Sequence, residues 1–299
     1  AGLVNAQMEI ADLLCCIFIH AVKSHRREII LEPYPTVYSK DCPGAPLFHP
    51  NEKDFGKLQK TVEALELLRE ESEVGLGVPT SRMSLDGICL QKWIVASNRS
   101  FLAPLRDDER IDAFKTPFQY LLISQPIEQE RHFQELKRQY GSIFAYHGSP
   151  AENWHSILRN GLKNASNSRL MTTGAAYGEG IYLSTHSAMS MRYSMRGGRW
   201  KLFDASVTRE RKNPRIGNCI PAVHEMIMMA VCEVIDHPSL RRHDGIVVAP
   251  LEETVCTRLF FVFTDQSKLS NVPIHELGTE ITACLSRLQV GTPQVSSSA

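Results

Sequence analysis

"FAYHGSPAENWHSILRNGL", residues 144–162, joins a short apolar run to a segment of helical spacing and sets His147, Gly148 and Ser149 at the junction. Phe144 to Tyr146 reads as the end of a strand and Gly148-Ser149-Pro150 as a turn, while Trp154, Ile157, Leu158 and Leu162 recur as one helix face. On that pattern alone His147 is as readily an ordinary strand-end residue as part of a site. The rest of the chain has to decide.

Downstream of Arg106 the same texture repeats. "FQYLLIS", "SIFAYH", "GIYLS", "MIMMAVCEVI", "DGIVVAP" and "RLFFVFTD" are short apolar or β-branched runs bounded by Gly, Pro, Asp or Ser, and they read as strands. Few helices separate them, chiefly 151–160, 184–193 and 129–140, so this half is α+β with a mainly antiparallel sheet. Upstream, apolar residues at helical spacing (Ile10, Leu13, Leu14, Ile17, Ala21) predict a helix from Glu9 to Leu31. A Pro-rich connection leads to further helices over 54–73 and 85–98. The domain boundary falls near residues 105–116.

Composition narrows the function classes. With 33 basic residues against 33 acidic ones, no global field favours nucleic acid or an anionic membrane. The longest early apolar stretch, Leu13 to Val22, is half the roughly 20 residues a membrane-spanning helix needs. No membrane segment is expected in this chain, which leaves open an anchor outside it. The cysteines, Cys15, Cys16, Cys42, Cys89, Cys219, Cys232, Cys256 and Cys284, lack metal-type spacing and sit mostly among apolar residues. Buried thiols in a reducing intracellular compartment, cytoplasm or nucleus, are expected. His224-Glu225 begins a zinc-protease pattern that "HEMIM" does not complete, so no metal is expected.

The second constellation is "AAYGEGIYLSTHSAMSMRYS", residues 175–194. Gly178 and Gly180 precede the strand-like Ile181-Tyr182-Leu183, and a helix from Ser184 to Tyr193 would put Ser190 and Tyr193 on one face. Two rings, a hydroxyl and a closely approaching glycine backbone suit a flat aromatic amide. Taken singly, Tyr182, Ser190 and Tyr193 are equally ordinary half-buried or surface residues.

"YHGS", "YGEGIYLS" and the serine and tyrosine eight and eleven residues beyond Tyr182 resemble the catalytic domain of the poly(ADP-ribose) polymerase family, relatives of the diphtheria-toxin-like ADP-ribosyltransferases. "ENWHSILRNGL", "AVCEVIDHP" and the helical first half opening on "ADLLCC" are most similar to the mono-ADP-ribosylating branch, members six, eight and sixteen. The resemblance implies a helical N-terminal domain over 1–110, regulatory or accessory, an ADP-ribosyltransferase catalytic domain over 111–290 and a polar tail over 291–299. It implies NAD+ as the substrate, with His147 on the adenosine ribose, Gly148 gripping the nicotinamide carboxamide and Ser149 a further ribose contact. Tyr182 and Tyr193 would sandwich the nicotinamide, and Ser190 would meet its carboxamide oxygen.

The third catalytic position of the family, glutamate in its polymerising members, aligns with Leu259 at the start of "RLFFVFTD". Leucine neither binds a ribose hydroxyl nor activates an acceptor, which implies transfer of a single ADP-ribose to a protein side chain, the acceptor protein being unspecified. Residues 164–176 correspond to a loop over the donor, and the basic run within 192–215 is a candidate surface for an anionic partner. Two other readings stay open: a catalytically silent NAD+ or ADP-ribose binding module, and a protein-interaction scaffold acting through the helical half.

Overall fold

The computed structural model describes residues 2–39, 53–71, 82–123, 127–166, 168–169, 176–195, 226–264 and 270–290. The first half is helical: α1 (Gly2–Lys23), α2 (Arg27–Ile30), α3 (Phe55–Glu71) and α4 (Leu85–Ala96). The single helix expected over 9–31 is broken at Ser24, whose Oγ accepts the Arg26 N–H at 3.0 Å and whose carbonyl accepts the Arg27 N–H at 3.2 Å. A short hydroxyl side chain competing for backbone donors is a reason for a helix to end there. Ser84 starts α4 in the opposite sense, its Oγ accepting the Gly87 N–H at 3.1 Å as an N-cap.

The strands are β1 (Phe101–Pro104), β2 (Phe118–Ile123), β3 (Ser142–Gly148), β4 (Ile181–Ser184), β5 (Ile227–Ile235), β6 (Arg241–His243), β7 (Ile246–Ala249) and β8 (Val255–Phe263). They form one eight-stranded sheet in the order β1-β2-β8-β5-β3-β4-β7-β6, and every pairing is antiparallel. Helices α5 (Ile127–Tyr140), α6 (Trp154–Asn160), α7 (Ser187–Ser194) and α8 (Gly278–Val290) complete the described chain. The architecture is α+β, N-terminal helices followed by an antiparallel sheet, as the sequence implied.

Both faces of the sheet are covered, which is why β5 and β8 are buried along their whole length and are apolar apart from Glu233, Thr257 and Arg258. On one face Tyr120, Ala145, Ala230, Phe260 and Val262 join Leu13, Ile17, Phe18, Leu90 and Ile94 of the helical half in one core. On the other, Tyr146, Met229, Val231, Leu259 and Phe261 pack with Met191 of α7 and with Ile281 and Cys284 of α8. The sheet begins with β1, on the N-terminal side of residue 110.

Arg258 interrupts the apolar run of β8 at a bulge, where Leu259 pairs with Val231 and Thr257 with Cys232. Its guanidinium meets Glu233 at 2.9 Å and both oxygens of Glu130 on α5 at 2.9 Å. These contacts hold the carboxyls of Glu130 and Glu233 below the usual carboxylate range against the opposing effect of burial. The ion cluster ties α5 to β5 and β8.

Among the described cysteines, Cys16, Cys232, Cys256 and Cys284 are buried and Cys15 is partly buried, so the expected burial fails at Cys89, which is exposed. Cys42, Cys219 and the His224-Glu225 pair lie outside the described residues. Among the described residues no helix is long and apolar enough to cross a membrane.

Candidate active site

β3 and β4 run side by side, with Tyr146 opposite Ser184, and this pairing brings the two sequence motifs together. His147 stands one residue before the end of β3, half-buried, its Nδ1 3.0 Å from the Tyr182 carbonyl oxygen. A carbonyl only accepts, so Nδ1 carries the proton and Nε2 keeps its lone pair. Burial pushes the His147 pKa below its ordinary 6.5, against the smaller pull of the Tyr182 hydrogen bond. The imidazole is therefore neutral at neutral pH.

Gly148 has a packing reason to be glycine. A Cβ there would fall 1.7 Å from the Ser190 carbonyl oxygen, because α7 passes directly across the end of β3. That path is fixed at both ends of α7. Ser187 Oγ donates to the Ser270 carbonyl at 2.7 Å and accepts the Val272 N–H at 2.8 Å, and Ser194 Oγ donates to the Met228 carbonyl of β5 at 2.5 Å. The helix starts at Ser187, three residues later than expected, because Tyr182 to Ser184 stay extended to pair with β7.

Tyr182 has its hydroxyl fully occupied: it donates to the Gly178 carbonyl at 2.8 Å and accepts the Tyr177 N–H at 2.9 Å. The hydroxyl thus shapes the turn before β4, and the ring face is what remains for a ligand. Gly178 and Gly180 have φ of 90° and 151°, and a Cβ on Gly180 would meet the Ala249 carbonyl oxygen at 2.7 Å. Non-glycine residues rarely adopt such positive φ values, so the glycines serve this turn as well as any ligand.

Ser190 is 2% exposed and its Oγ lies 3.0 Å from Ser184 Oγ. Tyr193, one turn later on α7, is partly exposed. Ser149 is buried, its Oγ accepting from Asn153 Nδ2 at 2.9 Å and its carbonyl accepting from Trp154 Nε1 at 2.9 Å. Trp154 also presents its ring to His147 at 6.2 Å between centroids, so it braces the whole His-Gly-Ser segment.

Leu259 is fully buried in the middle of β8, opposite Leu121 and Val231, among Tyr146, Met191 and Phe261. Strand β8 begins at Val255, so Leu259 is not at its start as the apolar run suggested. His147, Gly148, Tyr182, Ser184 and Ser190 are joined by the contacts above; Leu259 touches this group only through the core it shares with Tyr146 and Met191.

Glu252 and Glu253, in the loop upstream of Leu259, take no assigned role from the sequence, and the structure gives Glu252 a tethering one. Its Oε1 accepts the Asn164 N–H at 2.8 Å and its Oε2 meets Lys163 Nζ at 2.8 Å, while Ser166 Oγ accepts the Gly180 N–H at 3.0 Å. The first residues of the 164–176 loop are thereby tied to the chain entering β8 and to the turn entering β4. Residues 167 and 170–175 of that loop, and 196–215 of the basic run, lie outside the described residues.

An eight-stranded antiparallel sheet with a strand-end His-Gly-Ser next to a Gly-X-Gly-Ile-Tyr strand defines an ADP-ribosyltransferase-type domain. Residues 119–233 match the model of the poly(ADP-ribose) polymerase catalytic domain, and residues 3–93 match that of the ARTD15 N-terminal domain. The chain is 35% identical over 270 residues to "Protein mono-ADP-ribosyltransferase PARP8" of mouse, a match covering 86% of this chain and 32% of that protein. The human protein of that name gives 35% over the same length, and "Protein mono-ADP-ribosyltransferase PARP16" of mouse gives 29% over 242 residues, covering 77% of this chain and 64% of that protein. Residues 119–233 thus match a poly(ADP-ribose) polymerase catalytic domain, and the chain is homologous to these mono-ADP-ribosyltransferases while spanning only about a third to two thirds of their length.

Proposed function

We propose that this protein transfers one ADP-ribose unit from NAD+ to a protein side chain and releases nicotinamide. The observation that carries the reading is the His147–Tyr182 hydrogen bond, which leaves a neutral His147 Nε2 as an acceptor beside Gly148, Ser190 and the Tyr182 ring. An acceptor nitrogen is what a ribose hydroxyl can donate to, and a ring with its own hydroxyl satisfied elsewhere is a stacking surface.

In this reading the bond between the nicotinamide nitrogen and the anomeric carbon breaks, and its electron pair leaves with nicotinamide. The acceptor side chain forms the new bond to that carbon and gives up its proton. NAD+ supplies a cationic leaving group, so the protein's share of the rate is positioning and electrostatics rather than acid catalysis. His147, Gly148 and Ser149 hold the ribose and carboxamide, Tyr182 and Tyr193 flank the ring, and Ser190 bonds the carboxamide. Leu259, apolar and buried, offers nothing to polarise a second ribose hydroxyl, so the product stays at one unit per acceptor.

The helical half, residues 1–110, acts as an accessory domain; the core it shares with the sheet supports that role. The reducing interior of a cell suits its thiols, and the basic run over 192–215 suits an anionic partner. Incubation with radiolabelled NAD+ tests the assignment. Label that survives denaturing gel electrophoresis is expected; reversible binding alone would point to a silent NAD+ or ADP-ribose module, and no binding to a scaffold working through its helices.

A further inference from the structure

Ser184, the last residue of β4, forms a three-member relay that the family motifs do not describe. Its Oγ lies 2.6 Å from the His186 carbonyl oxygen and 3.0 Å from Ser190 Oγ, and both serines are 2% exposed. A carbonyl only accepts, so the single Ser184 proton goes to His186. Ser190 must then be the donor in the serine pair. Its one proton is already committed inside the protein.

A carboxamide oxygen approaching Ser190 meets a hydroxyl that points away from it. To donate to that oxygen, Ser190 has to rotate off Ser184, and Ser184 loses an incoming hydrogen bond in a site that holds no water-exposed substitute at 2% exposure. We propose that Ser184 is a positioning residue that holds the Ser190 proton and thereby sets how tightly this cleft binds an aromatic carboxamide. The inference rests on the reading of Ser190 as a carboxamide contact. It deepens that reading by naming the group that competes with the ligand.

The expected effect has an unusual sign: removing a polar residue from beside the ligand tightens binding. Without the Ser184 oxygen, Ser190 is left with an uncommitted proton. The gain expected is about fivefold in affinity, the factor that one ordinary hydrogen bond is worth. Ser184→Thr, which keeps a hydroxyl on the same carbon, restores the competitor and returns the affinity to the wild-type value.

The test is isothermal titration of the full chain with benzamide, a primary aromatic amide, using Ser184→Ala, Ser184→Cys, Ser184→Thr and each of the first two combined with Ser190→Ala. Cysteine fills the serine volume, slightly exceeding it, and is a weak acceptor, so it carries the test if the alanine variant does not fold. The expected result is tighter binding in Ser184→Ala and Ser184→Cys, none of it in the Ser190→Ala background, and wild-type affinity in Ser184→Thr. Unchanged or weaker binding in the single variants, or an equal change without Ser190, overturns the proposal while leaving the cleft a carboxamide site. A wild-type chain that does not bind benzamide at all overturns the carboxamide reading itself, and this inference with it.

Discussion

His147 and Tyr182 are joined through 3.0 Å between the imidazole Nδ1 and the tyrosine carbonyl oxygen, so the two motif residues form one unit across β3 and β4. The bond separates the two ring nitrogens: Nδ1 is spent on the Tyr182 carbonyl, and Nε2 is the acceptor that the proposed function gives to a ribose hydroxyl. Asparagine mimics the first and glutamine the second. His147→Asn is expected to keep the wild-type melting temperature within a degree or two yet lose transfer by about two orders of magnitude, the scale of a misplaced reactant. Differential scanning fluorimetry beside labelling checks it; an Asn variant with wild-type transfer would show that Nε2 is idle.

Gly148→Ala puts a methyl group where the Ser190 carbonyl already is, at 1.7 Å. Backbone has to move, either β3 at Gly148 or α7, which carries Ser190 and Tyr193 and is tied down at both ends. A loss of about 1–3 kcal/mol in stability is expected, the range for overpacking, together with loss of benzamide binding. Urea unfolding and titration calorimetry measure the two. An unaffected variant would mean that α7 does not cross β3 this closely.

His155 predicts how stability depends on pH. Fully buried on α6, it donates Nε2–H to the Pro33 carbonyl at 2.9 Å and packs on Phe18 and Trp93 of the helical half. Burial first, and the Arg159 charge second, lower its pKa from 6.5 to about 3. The unfolded chain therefore takes up a proton that the folded chain refuses. The contribution is complete above pH 6.5 and is lost as pH falls towards 3, at up to about 1.4 kcal/mol per pH unit. Stability of the wild type and of His155→Gln, compared by urea unfolding between these limits, should differ in slope by about one proton; equal slopes would refute the assignment.

Arg258→Met leaves Glu233 buried at 2% side-chain exposure with Lys137 as its remaining cation at 2.6 Å. Breaking a buried pair in this way costs about 3–5 kcal/mol. A fall in melting temperature is expected in Arg258→Met, and a smaller one in the double variant Arg258→Met/Glu233→Gln, which removes the stranded charge.

What the sequence disclosed follows from what a pattern is able to carry. β5 and β8 were legible because both faces are covered and every residue is apolar or paired, but the start of β8 was placed too late because Arg258 at the bulge looks like a boundary. β6 is Arg241-Arg242-His243, an edge strand with no apolar signal, and β1 is four residues ending in proline. α8 carries only a short apolar spacing, Ile281 and Cys284, close to a polar tail, which is a weak helix signal. The motif residues His147, Gly148, Tyr182 and Ser190 were found as types. Their pairwise duties were not, because the Ser184–Ser190 bond, the Gly148 approach to Ser190 and the Glu252 hold on Asn164 join residues whose contact no periodicity announces.

The most direct measurement of the central claim is intact-mass spectrometry of the wild-type chain and of His147→Asn after incubation with NAD+. Mass increments of one ADP-ribosyl unit are expected, with peptide mapping that assigns each to a separate residue, and about a hundredfold less modification in the variant. A ladder of linked units on one residue, or equal modification of His147→Asn, would contradict it.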